Sequence, residues 1–245
     1  MNIVILMMGG SGTRVGTSIP KQYLKINNIP IFAYILNKYQ QTKEIDKIII
    51  VSNPDYIDLV NVWINTLNID KVYEVCSGGK NRSESVLNGL KVAKKLDENS
   101  TILIHDATHP YVDTEGVKKL IDAINEFGAA TLVQCNYDTV YEIESDIIKK
   151  VLERKNVVSG ASPEGFKFKE IYNIYANATE EELAKMTSAG AIAIANGLEM
   201  KTIETDLLNL KITFKRDIDL FKKLINNYYF KDEDDLFEKY NIRNS

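Results

Sequence analysis

The chain has little cysteine, histidine, proline or tryptophan: two, two, five and one of 245 residues. Cys76 and Cys135 stand alone without a CxxC spacing, which excludes a disulfide framework or a cysteine zinc site and fits a reducing, cytoplasmic setting. The two histidines, His105 and His109, are four apart, but a zinc pair of that spacing needs a helix and further ligands. Pro110 directly follows and argues for a loop. No apolar run approaches the length of a transmembrane helix, and no charged leader or cleavage site precedes the first apolar stretch. Neither membrane insertion nor export is expected. Positive charge is not in excess either: 30 Lys and Arg face 34 Asp and Glu, for a net charge of −4 and a pI near 5.4. Nucleic-acid binding needs a concentrated basic surface, so no nucleic-acid partner is expected and any phosphate site must be a local cluster.

The composition is 44% hydrophobic, enough for one large α/β domain spanning 1–245. Apolar runs that suit strands (from Ile3, KIIIVSN, KVYEVC at 71–76, TILIHD at 101–106, AATLVQC at 129–135) alternate with helical periodicity after Pro30, after Asn53-Pro54 and over Thr114–Phe127. The alternation predicts a doubly wound, mostly parallel sheet with ligands at the carboxyl ends of its strands. From about 136 to 158 the rhythm breaks into short pieces around Glu144-Ser145-Asp146, which predicts a projecting β-arm. Such an arm exposes a sticky edge unless a second copy covers it. Further on, Gly197 ends a helix, Met200–Glu204 is strand-like, NLKIT at 209–213 reads as a short strand, and Lys215–Tyr229 reads as a closing amphipathic helix. A C-terminal extension of about 230–245 follows.

The organising stretch is IVILMMGGSGTRVGTSIPKQY, from Ile3 to Tyr23. A buried strand ends in Gly9, Gly10 and Gly12, whose missing side chains let backbone N–H groups approach phosphate oxygens. Two cations follow, Arg14 and Lys21. A P-loop is excluded because no lysine follows a glycine at the required spacing. A dinucleotide fingerprint is a near miss, since Gly10, Gly12 and Gly16 give GxGxxxG and no acidic residue closes the second strand. A nucleoside triphosphate is the leading ligand; a plain glycine turn with incidental charges is the alternative. After the third strand, GGKNRSESV enters a helix near Arg82, where Arg82 and Ser85 either contact base and phosphates or sit at an ordinary helix start with Ser83 or Ser85 as cap. Asp106, just past a strand, either binds Mg²⁺ that bridges triphosphate oxygens or caps the next helix.

Taken together, GGSGTR, PKQY, GGKNRSESVLNGL at 78–90, HDATHP at 105–110, ASPEGF at 161–166 and NLKIT resemble the cytidylyltransferases that make CDP-polyols, the methylerythritol phosphate and ribitol phosphate family. The resemblance spans nearly the whole chain and implies a Rossmann-like nucleotidyltransferase fold. It implies catalytic roles for Arg14, Lys21 and Lys211. Nucleotide contacts are implied for Met8, Gly9, Gly10, Gly12, Thr13, Gly79, Arg82, Ser85, Asp106 and Ala107, with Asp106 assisting Mg²⁺. Contacts to the polyol or sugar phosphate are implied for His109, Thr139, Arg154 and Thr187, with Arg154 serving the partner's site in a homodimer joined through the arm. The sequence departs from the family where His109 replaces an arginine, Ser162-Pro163-Glu164 replaces Thr-Pro-Gln, and Ser188 replaces an aspartate. These departures fall on the acceptor side, so CTP use with an unusual acceptor is expected. An NAD(P)-dependent oxidoreductase and a non-catalytic nucleotide-binding protein are the alternatives from other classes.

Overall fold

The computed structural model describes residues 1–10 and 19–229. Gly12, Thr13 and Arg14 of the glycine loop and the C-terminal extension at 230–245 lie outside the described residues. Strand β1 (Asn2–Met8) leads through a 3₁₀ turn at Lys21–Tyr23 into a small hairpin, β2 (Lys25–Ile26) and β3 (Ile29–Pro30), and then α1 (Ile31–Gln41). Asn27 and Asn28 make the tight turn of that hairpin at φ 51° and 64°, the left-handed region asparagine tolerates. The chain continues through β4 (Lys47–Ser52), α2 (Ile57–Thr66), β5 (Val72–Ser77), α3 (Arg82–Leu96), β6 (Thr101–Asp106), α4 (Thr114–Phe127) and β7 (Ala129–Cys135). After the arm strands β8 (Val140–Glu144) and β9 (Ile147–Leu152) come β10 (Val158–Lys167), α5 (Phe168–Asn177), α6 (Glu180–Lys185), α7 (Ala189–Ala195), β11 (Lys201–Glu204) and α8 (Lys215–Tyr229).

Seven strands form one sheet in the order β11-β7-β10-β6-β1-β4-β5. All neighbours are parallel except β10, which runs antiparallel to both β6 and β7. Strand alternation sends Val4, Leu6 and Met8 into one core with α1, α2, α4 and α8, and Ile3, Ile5 and Met7 into a second core with α3, α5 and α7. Burial on both faces explains why β1 reads as an unbroken apolar run rather than an alternating one. The predicted α/β architecture is thus the observed one, with β6 central, β1 beside it, and the carboxyl ends of the parallel strands β1, β4 and β6 on one edge.

Two expectations need correction. Residues 209–213 form no strand; NLKIT runs as irregular backbone. Strand β10 was not anticipated, because Gly160, Pro163 and Gly165 interrupt its sequence, and the register with β7 shifts between Gly160 and Glu164 to accommodate them. The arm is a separate two-stranded sheet turning at Ser145 and Asp146, both at positive φ. Ile143, Ile147, Ile148 and Val151 stand exposed on it.

Candidate active site at the strand ends

The end of β1 is held by the turn that follows it. Gln22 donates its amide to the carbonyls of Met8 and Gly10, both at 2.7 Å, and Tyr23 donates its hydroxyl to the Met8 carbonyl at 2.9 Å. Tyr23 also accepts from the backbone N–H of Asn53 at the end of β4 and stacks on Tyr56, with ring centroids 4.1 Å apart. Gln22 and Tyr23 therefore fix where the glycine segment leaves the sheet. Lys21, in the same turn, is buried beside them.

A second loop crosses this point. A Cβ at Gly9 would lie 3.3 Å from the Gly78 Cα, and one at Gly78 would lie 3.1 Å from the Gly9 Cα, so a side chain at either position would crowd the crossing backbone. The Gly78 N–H bonds the Ser52 carbonyl at 2.7 Å, tying this loop over the end of β4. Ser85, buried, accepts from the Gly79 N–H at 2.9 Å and donates to the Asn81 carbonyl at 2.8 Å. Its hydroxyl shapes the loop from within. The cap of α3 is Asn81, whose side chain accepts from the Glu84 N–H, rather than Ser83 or Ser85. Ser83 instead donates to the Leu183 carbonyl.

Asp106 pairs in register with Met7, and the Ala107 N–H bonds the Met7 carbonyl, so both stand beside the exit of the glycine segment. Arg82 donates to Asp106 Oδ1 from Nε at 3.2 Å and from Nη2 at 3.1 Å, and Lys211 Nζ stands 3.9 Å from Oδ2. Burial alone would push the Asp106 carboxyl up, but Arg82 and Lys211 outweigh it and hold the group below the usual carboxylate range. Arg82 Nη2 also lies 4.0 Å from Glu164 Oε2. Lys211 arrives without a strand: the Ile212 N–H bonds the Thr108 carbonyl at 2.8 Å, and Asn209 bridges His109 and the Gly160 carbonyl.

His105 is fully buried between the Tyr39 hydroxyl, 2.8 Å from Nδ1, and the His109 carbonyl, 2.8 Å from Nε2. A carbonyl can only accept, so Nε2 carries the proton and Nδ1 accepts from Tyr39. By the same logic Asn209 donates its amide to Gly160 and accepts the Nδ1 proton of His109. Desolvation lowers both histidines to about 4, so both are neutral at pH 7. His109 thus contributes a neutral imidazole, not a cation, to the site.

A family model for 2-C-methyl-D-erythritol 4-phosphate cytidylyltransferase matches residues 2–227. The chain belongs to that cytidylyltransferase family. A relative from Petrotoga mobilis named 2-C-methyl-D-erythritol 4-phosphate cytidylyltransferase is 34% identical over 91% of this chain and 97% of its own. One from Vibrio parahaemolyticus named ribitol-5-phosphate cytidylyltransferase is 30% identical over 92% and 96%. The crystal structure of 4-diphosphocytidyl-2C-methyl-D-erythritol synthase from Anaerococcus prevotii superposes with a TM-score of 0.77 at 26% identity, covering 92% of this chain and 96% of that one. Membership makes the chain an enzyme of the nucleotidyltransferase class, and none of these relatives is an oxidoreductase or a binding module.

Of the residues this cytidylyltransferase family resemblance singled out, the structure gathers Met8, Gly9 and Gly10 with Gly79 and Ser85, and Arg82 with Asp106 and Lys211. Ala107 is buried behind Asp106, and His109 lies one turn beyond. Thr139, Arg154 and Thr187 are exposed and make no bond to this cluster within the single chain. Arg154 donates to the Tyr137 carbonyl on the arm. Among the described residues no helix is long and apolar enough to cross a membrane. Sequence reasoning missed three supporting residues, Tyr39, Glu164 and Asn209, because each contacts the site across a distance along the chain that no local spacing encodes.

The buried neutral histidine has a consequence for stability. An unfolded histidine titrates near 6.5 and His105 in the fold near 4, so between these values the unfolded chain binds a proton the folded chain refuses. Stability therefore falls as pH drops through that window, by about 2 kcal/mol for His105 between pH 7 and 5. Urea midpoints at those two pH values should show this loss in the wild type and a smaller one in His105→Gln; equal losses would contradict it.

Proposed function

We propose that this chain transfers CMP from CTP to the phosphate of a small polyol or sugar phosphate, giving a CDP-linked product and pyrophosphate. The observation that carries this reading is the meeting of Arg82, Asp106 and Lys211 at the carboxyl ends of β1 and β6, where the backbone at Gly9 and Gly10 has no side chains in the way. An acceptor phosphate oxygen attacks the α-phosphorus, a new P–O bond forms, and the bond to the bridging oxygen breaks as pyrophosphate leaves with its electron pair. No protein nucleophile is needed, because the acceptor is already an anion and catalysis rests on alignment and charge. Lys211 and Lys21 stabilise charge gathering around the α-phosphorus, with Arg14 assigned the same role by resemblance.

Mg²⁺ is the cofactor of this reading. Among the described residues no group of three or more His, Cys, Asp or Glu assembles, which does not suit an all-protein cage. It does suit Mg²⁺, which keeps waters and takes substrate phosphates as ligands beside one carboxylate. Asp106 fits: it is held ionised, and Arg82 occupies Oδ1 while Oδ2 faces only the looser contact to Lys211. The ion would offset the negative charge of the triphosphate. The chain's own residues do the rest: the glycine backbone seats the phosphates and Arg82 keeps Asp106 in place.

The acceptor is a polyol or sugar phosphate of the class to which the substrates named for the relatives, methylerythritol 4-phosphate and ribitol 5-phosphate, belong. Neutral His109 stands where the family has a cation, which supports an acceptor held with fewer charged contacts on that side. Homodimerisation through the arm belongs to the same reading. It is supported by the exposed Ile143, Ile147, Ile148 and Val151 on a two-stranded sheet that is too small to be stable alone. Arg154 and Thr139 would then serve the partner's acceptor. A cytoplasmic location is supported by the free Cys76 and Cys135.

Pyrophosphate release from CTP, assayed across a panel of polyol phosphates, should be specific for one of them. Lys211→Ala should lower kcat on the order of a hundredfold while changing the Kd for CTP far less; equal losses in both, or faster turnover of UTP than CTP, would contradict the assignment. In sedimentation the wild type should run as a dimer and Ile143→Lys/Ile147→Lys as a monomer. A monomeric wild type would remove the arm from the account.

A further inference from the structure

Glu164 stands on β10, opposite Ile104 of β6, on the side of β6 away from β1. Its carboxylate is mostly buried and accepts from the backbone N–H of Ala189 at 3.0 Å and of Gly190 at 3.0 Å, the first residues of α7. The same Oε2 that takes the Ala189 proton lies 4.0 Å from Arg82 Nη2. Tyr175 of α5, a residue 1% exposed whose hydroxyl has no hydrogen-bond partner, lies near enough to Arg82, Glu164 and Asp106 to feel their charges. With the side chains of Arg82 and Glu164 only 28% and 16% exposed, their charges act more strongly on one another than in open water.

We propose that Glu164 is a positioning residue for the transfer reaction, one carboxylate that holds both the start of α7 and the guanidinium of Arg82. It thereby ties the exposed turn at Thr187 and Ser188 to the nucleotide side of the site. The proposal rests on the transferase reading above. In-line displacement requires the acceptor to approach the α-phosphorus from the side opposite the leaving pyrophosphate. Gly9 and Gly10 follow β1 and the loop at Gly78 bonds Ser52 at the end of β4, while Glu164 stands on β10 beyond β6 and holds the start of α7, so the turn before α7 borders the Arg82 and Asp106 pair on the side away from these backbone segments. Glu164 sets how that turn sits relative to Arg82, and its negative charge limits how much of the Arg82 charge is offered to an incoming triphosphate. Ser188 reinforces the same turn by accepting from the Ala191 N–H at 3.0 Å, without touching a charged group.

These two roles separate experimentally. Glu164→Gln is nearly isosteric, but only its carbonyl oxygen accepts, so one of the two α7 N–H groups loses its partner and Arg82 loses a neighbouring charge. The variant should raise the KM for the acceptor about tenfold, from one lost charge-assisted bond. In direct titration without acceptor it should bind CTP roughly threefold more tightly, with that gain fading at high salt. Ser188→Ala should raise the acceptor KM without tightening CTP binding. A shift of acceptor KM and CTP affinity in the same direction, or a change confined to the unfolding midpoint, would overturn the proposal. A wild type that binds CTP yet releases no pyrophosphate would remove the transferase reading. Tightened CTP binding in Glu164→Gln together with faster amide exchange at Ala189 and Gly190 would still support the positioning role, and unchanged values would refute it.

Discussion

Asp106 carries its charge at a place where burial opposes it, and the site is arranged around the two cations that make this tolerable. Arg82 comes from the start of α3 and Lys211 from an irregular segment more than a hundred residues later, and both converge on the carboxylate at the end of β6. A buried carboxylate without such partners would take up a proton. The pairing therefore keeps an anion in position beside backbone donors suited to another anion. The proposed binding of a triphosphate together with Mg²⁺ builds on that combination.

Around this charge cluster the fold supplies rigidity through contacts that carry no chemistry of their own. Gln22 and Tyr23 clamp the last carbonyls of β1, Gly9 and Gly78 let two loops cross, and Ser85 closes the second loop on itself. His105 does comparable work from below, joining Tyr39 of α1 to the loop after β6 as a neutral ring. Residues that look catalytic by type, a buried histidine and a serine beside a glycine turn, are here parts of the frame. In the proposed transfer the groups that meet the charge of the reacting phosphates are instead the cations Lys21 and Lys211.

Much of this was legible in the sequence because parallel strands buried on both faces read as unbroken apolar runs. β1, β4, β6 and β7 could be placed that way, and with them the rule that ligands gather at their carboxyl ends. The glycines and Asp106 followed as strand-end residues. What stayed hidden depends on contacts between distant segments. β10 is broken by Gly160, Pro163 and Gly165 and pairs on both sides only through a register shift. Lys211 was expected on a strand, yet one backbone bond from Ile212 to Thr108 and the bridging side chain of Asn209 seat it instead. Glu164 is legible in the sequence only as a departure from the family's glutamine, and its bonds to α7 and nearness to Arg82 appear only once β10 is seen to lie beside β6. Gly12, Thr13 and Arg14 fall outside the described residues, so their assignment still rests on resemblance.

The central claim is that one triphosphate is held between the glycine backbone after β1 and the Arg82, Asp106 and Lys211 cluster. A crystal structure of the protein with CTP and Mg²⁺ tests it most directly. The account requires the phosphates to accept hydrogen bonds from the backbone at Gly9 and Gly10, with Lys211 Nζ and the Asp106 carboxylate on the same side of the α-phosphate. A nucleotide bound elsewhere, or one whose phosphates leave Lys211 facing solvent, would contradict it.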